Sequence, residues 1–150
     1  MEAGELYQKL FNLAPPWHVK AVVAEEDAAR VNVYLEYTEA ELFACPLCAR
    51  TCPVCDHSEE KTWRHLDTCQ KQTHLFTKLP VVNCPEHGKQ TIATPLGGVD
   101  APVTFAFAQM LNRLVRDVGY LKKAAVITRI GDGLLRSILR PRLLRLLTRS

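Results

Sequence analysis

The sequence predicts an α+β chain, with a small β-rich domain in front and a basic three-helix segment behind. Three observations carry that expectation. Apolar residues recur with a period of two in the first part of the chain and of about 3.6 beyond residue 100. Charge changes sign at the same place: residues 1–100 hold 9 Lys/Arg against 14 Asp/Glu, residues 101–150 hold 10 against 2. Between the two regions stands Pro95-Leu96-Gly97-Gly98, which reads as a linker. The expected domains are therefore 1–99 and 100–150.

Taken in order, Leu6, Leu10 and Leu13, with Tyr7 and Phe11, fit one face of a short helix ending before Pro15-Pro16. Val19 to Ala24 reads as a strand, Glu26-Asp27 as a turn, and Arg30 to Tyr37 as an alternating strand with Val31, Val33, Leu35 and Tyr37 on its buried side. A cysteine-rich stretch runs from Cys45 to Cys55, followed by a polar loop through Glu60. Lys61 to Leu66 and Thr73 to Val82 are two further strands, Pro80 making the second an edge or ending its regular part. Cys84 to Gly88 is a tight turn, and Lys89 to Thr94 a last strand.

Behind the linker, Phe107, Leu111, Leu114 and Val118 line one helical face closed by Gly119. Leu121 to Ile130 forms a second helix stopped by Gly131, and Leu134 to Leu139 a third, interrupted at Pro141. Three short helices with a glycine-containing turn suggest a helix-turn-helix, although any compact three-helix packing leaves the same pattern.

Composition narrows the function classes. With 47% hydrophobic and 23% charged residues, the chain is expected to fold. An acidic start argues against a signal peptide, and no apolar run approaches the roughly 18 residues that span a bilayer. A cytoplasmic home follows, where six cysteines serve as metal ligands or free thiols rather than disulfides. No arrangement supports catalysis: thiolates in metal knuckles are consumed by the metal, and Gly97-Gly98 is too sparse for a phosphate loop.

The strongest chemical signal is Cys45-Pro46-Leu47-Cys48 paired with Cys84-Pro85-Glu86-His87. Two residues between ligands let a tight turn aim both side chains at one ion while backbone amides face the sulfurs. Two such knuckles complete a tetrahedral Cys₃His zinc site of the closed, structural type, and the strands between them make the whole a zinc ribbon with a hairpin insertion. Zinc would then contribute folding energy directly. Cys52 and Cys55 offer a second arrangement, four cysteines from Cys45 to Cys55, which ranks behind the first because little chain is left to wrap both pairs around one ion. Cys69 reads as a free thiol.

With Trp17, Arg30-Val31, Asp56 and the stretch Thr62-Trp63-Arg64-His65-Leu66-Asp67, these knuckles make the chain resemble the N-terminal zinc-finger region of the ISL-three type of insertion-sequence transposases. The resemblance covers roughly residues 5–130. It implies that Cys45, Cys48, Cys84 and His87 are the metal ligands, and it sets Ala125-Val126 and Gly131 where the family's helix-turn-helix has its second helix and turn. Full-length members cut and join DNA with three acidic residues that hold two metal ions on a ribonuclease-H-like domain. This chain ends at Ser150 without room for such a domain, so a non-catalytic N-terminal portion is expected. Two departures stand out: the turn after Gly131 is short, and Pro141 interrupts the third helix.

The implied partner is double-stranded DNA, namely the terminal inverted repeats of the element, in a nucleoid-associated protein. Arg136 and Arg140 lie four residues apart on the third helix, within reach of base edges or phosphates. Lys122, Lys123 and Arg129, with Arg113 and Arg116, suit phosphates. Arg64 and His65 are weaker candidates that equally pack within a strand or pair with Asp67. The Leu/Arg tail from Arg142 to Ser150 leaves a homodimer contact, a membrane-surface segment and a frayed tail open. The rival class is a zinc-ribbon protein-interaction or regulatory module that never touches DNA.

Overall fold

The computed structural model describes residues 2–38 and 42–118. Helix α1 (Ala3–Leu10) is followed by strands β1 (Trp17–Glu25), β2 (Arg30–Tyr37), β3 (Leu42–Ala44), β4 (Thr51–Thr68), β5 (Lys71–Cys84) and β6 (Gly88–Thr91), then by helix α2 (Phe105–Val118). The strands form one sheet in the order β1-β2-β5-β4-β3, with β6 also paired to β5. Neighbours are antiparallel except β2 and β5, which run parallel from Arg30–Gln72 to Tyr34–Phe76.

The β4–β5 hairpin is the spine. Its turn, Cys69-Gln70, takes left-handed backbone at both residues (φ 51° and 65°), the conformation a two-residue hairpin loop needs. Three register breaks along β4, at Val54/Asp56, His57/Glu60 and His65/Thr68, bend the long ribbon. Pro80 sits where the sheet tolerates it. The β2 ladder has ended at Phe76, β4 is irregular between His57 and Glu60, and the Pro80 carbonyl accepts from Ile92 N–H at 2.8 Å. β5 is thus central rather than an edge, and it exchanges β2 for β6 as its neighbour along its length.

The buried side of β2 is the expected one, with Val31, Val33, Leu35 and Tyr37, and it meets Leu75, Leu79 and Val82 of β5 and Trp63 of β4. In α1 the buried residue is Tyr7, joined by Phe11 and Leu13 just beyond the helix, while Leu6 and Leu10 face outward. The helix stops because Asn12 turns left-handed at φ 53°. Gln8 then ties α1 to β1: its carbonyl oxygen accepts from Val19 N–H at 2.8 Å and its amide donates to the Leu13 carbonyl at 3.1 Å. Trp17, Tyr37 and Phe43 pack edge to face and carry this core across to β3.

The expected fold class is corrected here. The described residues are predominantly β, with two helices, and α2 does not open a separate three-helix segment; it docks on the sheet. The helices expected at 121–130 and 134–139 lie outside the described residues. The stretch read as a linker is a packed strap. Thr94 Oγ1 accepts from the Leu96 and Gly97 N–H groups, and Trp63 Nε1 donates to the Gly98 carbonyl at 2.9 Å. Any Cβ at Gly97 would stand 2.7 Å from Trp63 Cδ1, so only glycine lets the strap lie this close. Val103 then pairs in parallel with Arg64, Thr104 caps α2 by accepting from Phe107 N–H at 3.2 Å, and α2 buries Phe107, Leu111 and Val115. The change to a 3.6 period thus marks a helix whose apolar stripe belongs to the same folded body.

Candidate metal centre

Each end of the site is a turn between one short strand and one long strand of the hairpin. The first joins β3 to β4. Cys45 N–H donates to the Arg50 carbonyl and Ala49 N–H to the Cys45 carbonyl, both at 2.8 Å, with Ala49 left-handed at φ 62°. The second joins β5 to β6 in the register Cys84–Gly88, and Gly88 closes it at φ 72° with open space where a Cβ would be. Pairing of β3 with β4 and of β6 with β5, on the two strands of one hairpin, sets the turns face to face.

The donor atoms of Cys45, Cys48, Cys84 and His87 all lie within 4.8 Å of one another. Cys48 Sγ is 3.6 Å from Cys84 Sγ, and His87 Nδ1 is 3.6 Å from Cys84 Sγ and 3.8 Å from Cys45 Sγ. A tetrahedral zinc with Zn–S near 2.3 Å and Zn–N near 2.0 Å would have ligand edges of about 3.5–3.8 Å. Three of the six edges of the cage already have about that length, and none exceeds 4.8 Å.

Its electrostatics also ask for a cation. Burial raises the Cys84 thiol, but the backbone N–H groups of Glu86 and His87 aimed at its sulfur, with His87 and Cys48 beside it, bring it down to about 6. At Cys48 the Arg50 backbone N–H lowers the thiol, yet burial and the sulfurs of Cys84 and Cys45 outweigh it and hold the group above its usual range. Crowded thiols that resist joint ionisation are what a divalent ion relieves.

The other cysteines are not members of this cluster. Cys52 is buried on β4 and donates to the Arg50 carbonyl at 3.3 Å; burial, then the nearby Cys84 sulfur, pushes its thiol up. Cys55 and Cys69 are exposed. The alternative of four cysteines from Cys45 to Cys55 is therefore not the grouping the fold assembles. Sequence reading missed Cys52 as a packing thiol beside the site, although its alternation with exposed Thr51 and Pro53 carried the signal. Arg64 and His65 turn inward. Arg64 pairs with Asp67 at 2.8 Å and lies 5.0 Å from the centre of the Phe107 ring, while His65 Nδ1 meets Thr104 Oγ1 at 2.7 Å. Their motif anchors the strap. Lys122, Lys123, Arg129, Arg136 and Arg140 lie outside the described residues. Among those described, no helix is long and apolar enough to cross a membrane.

Two facing knuckles on one hairpin, three sulfurs and an imidazole, define a structural zinc ribbon. Residues 41–87 match the family model described as the zinc-finger of transposase IS204/IS1001/IS1096/IS1165. The chain is also similar to the transposase for insertion sequence element IS1557 of Mycobacterium tuberculosis, in strains CDC 1551 / Oshkosh and ATCC 25618 / H37Rv. Identity to each is 34% over 82 residues, covering 54% of this chain and 18% of the relative. No solved structure matches it. The resemblance to the N-terminal region of ISL-three type transposases is borne out: residues 41–87 match a transposase zinc-finger model, and the Cys₃His cluster within them fits structural zinc.

Proposed function

We propose that this chain is the DNA-binding, non-catalytic N-terminal portion of an insertion-sequence transposase, holding one zinc ion on Cys45, Cys48, Cys84 and His87 and recognising the element's terminal inverted repeats. The observation that carries the reading is the Cys₃His cage inside a stretch similar to transposase zinc fingers. The zinc fixes the fold and does no chemistry on DNA.

Charge supports the DNA side. The excess of 10 Lys/Arg over 2 Asp/Glu in residues 101–150 would neutralise phosphates, with Lys122, Lys123, Arg129, Arg136 and Arg140 as the proposed contacts. Arg113 is exposed on α2 and Arg116 one turn beyond it, consistent with the same role. The test is retention of a labelled duplex carrying the terminal repeat, measured against salt. Binding should weaken steeply with salt, and each basic residue replaced by alanine should reduce the log–log slope by about 0.9. A chain that holds zinc but leaves duplex DNA unbound at low salt would favour the protein-interaction module instead.

A further inference from the structure

The face of the sheet turned away from the apolar core carries a second constellation. Tyr34 of β2 and Phe76 of β5 are neighbours in the parallel ladder, and their rings stack with centroids 5.1 Å apart and planes 21° apart. Arg30, four residues earlier on the same face of β2, places its guanidinium 5.7 Å from the Phe76 centroid. Both rings are only half-buried. They line a cavity of about 310 Å³ whose rim includes Lys20, Lys78, Glu36 and Glu60. Among the described residues neither lysine has an ion-pair partner, whereas Glu36 is engaged by His18 at 2.7 Å.

We propose that this cavity takes one unstacked base of a DNA strand, held against Tyr34 and Phe76, with the flanking phosphates on Lys20 and Lys78. The size is right for a single ring system, at the low end of small-ligand cavities of about 300–1,000 Å³. The chemistry is right as well. Aromatic faces on a sheet, set by strand pairing and bordered by cations, are how proteins hold unpaired bases without reading sequence. A paired duplex keeps its bases stacked on one another and offers no ring to such a cavity, so an unpaired nucleotide is the ligand. Glu60, exposed at the rim, is suited to accept from the exocyclic amine of cytosine. The cavity shares no lining residue with the zinc cage, and the inference rests on the reading of the chain as a DNA-binding protein.

The test uses the full zinc-loaded chain and the fluorescence anisotropy of two probes, a single-stranded oligodeoxycytidylate of about twelve nucleotides and a short duplex. The single strand should bind. Tyr34→Leu and Phe76→Leu should each weaken it about tenfold, the loss of one base–aromatic stack, and leave duplex affinity unchanged. Replacing Lys20 and Lys78 together by glutamine should lower the single-strand salt slope by about 1.4. Because both lysines are exposed, that variant decides the matter if the aromatic variants lose zinc or fold. Duplex binding without single-strand binding, or aromatic variants that bind the strand normally with zinc intact, would overturn this inference alone. So would deoxycytidine monophosphate competing as well as the oligonucleotide at equal concentration. Failure of both probes would overturn the DNA reading beneath it.

Discussion

The two ends of the β4–β5 hairpin are held together by different means. At one end β5 is flanked by β2 and β4, and Val33, Leu35, Trp63 and Leu75 are closed over by α1 and the strap from Thr94 to Thr104. At the other, the neighbours shrink to three residues of β3 and four of β6, with Leu42 and Leu47 left exposed. Strands this short cannot bury enough apolar surface to fix their own ends. The ribbon end instead converges three sulfurs and an imidazole, so the metal supplies what the core supplies elsewhere. Phe43 joins the two regions by packing on Trp17 and Tyr37, which lets the ribbon end borrow some order from the sheet.

Removing the metal should separate these regions most sharply. Chelation, or Cys84→Ser, forfeits a gross binding energy of about 10–16 kcal/mol at a structural zinc site. Amide exchange should then accelerate across β3, β6 and both knuckles, while β1, β2 and residues 71–77 stay protected. If all amides exchange together, the ends are one cooperative unit and the contrast fails. The reciprocal change is Leu75→Ala in the sheet core, 1% exposed, which should cost about 2–5 kcal/mol of stability by calorimetry and leave zinc stoichiometry unchanged below the lowered Tm.

A smaller effect sharpens the picture of the strap. Gly97→Ala forces a methyl onto Trp63 and should cost about 1–3 kcal/mol, read as a lower denaturant midpoint together with a shift in Trp63 fluorescence. The most local effect is a titration. Burial, then the charges of Arg30 and Arg64, lowers His74 to about 4, against partial support for its charge from Asp67 and Glu25. The fold therefore favours the neutral ring. Its contribution to stability is complete above pH 6.5, is lost as pH falls toward 4, and changes no further below that. His74→Gln should flatten the stability profile of the wild type between those limits. Equal slopes in the two proteins would assign the acid sensitivity elsewhere, to protonation of the metal ligands first.

What the sequence disclosed and what it hid follow from the range of the interactions involved. Local signals were legible: the alternation of Val31, Val33, Leu35 and Tyr37, the matched knuckle spacings, and the glycine after His87. The first half of β4 was not. Thr51 to Glu60 shows the solvent almost every side chain except Cys52, Val54 and Ser58, so it reads as the end of a cysteine-rich stretch and a polar loop from Asp56 to Glu60 until the distant β5 pairs with it. The parallel β2–β5 ladder joins residues about forty apart and leaves no local trace. Gly97-Gly98 looked like punctuation because the tryptophan requiring it lies 34 residues upstream. For the same reason Arg64 and His65 looked as suited to DNA as to packing, and only their partners in the strap and α2 decided the matter.

The most direct measurement is the zinc X-ray absorption spectrum of the purified chain, recorded alongside metal content for Cys52→Ser and Cys84→Ser. One zinc per chain with three sulfurs near 2.3 Å and one nitrogen near 2.0 Å, kept in the first variant and lost in the second, is the expected result. A shell of four sulfurs, or zinc retained without Cys84 but lost without Cys52, would contradict it.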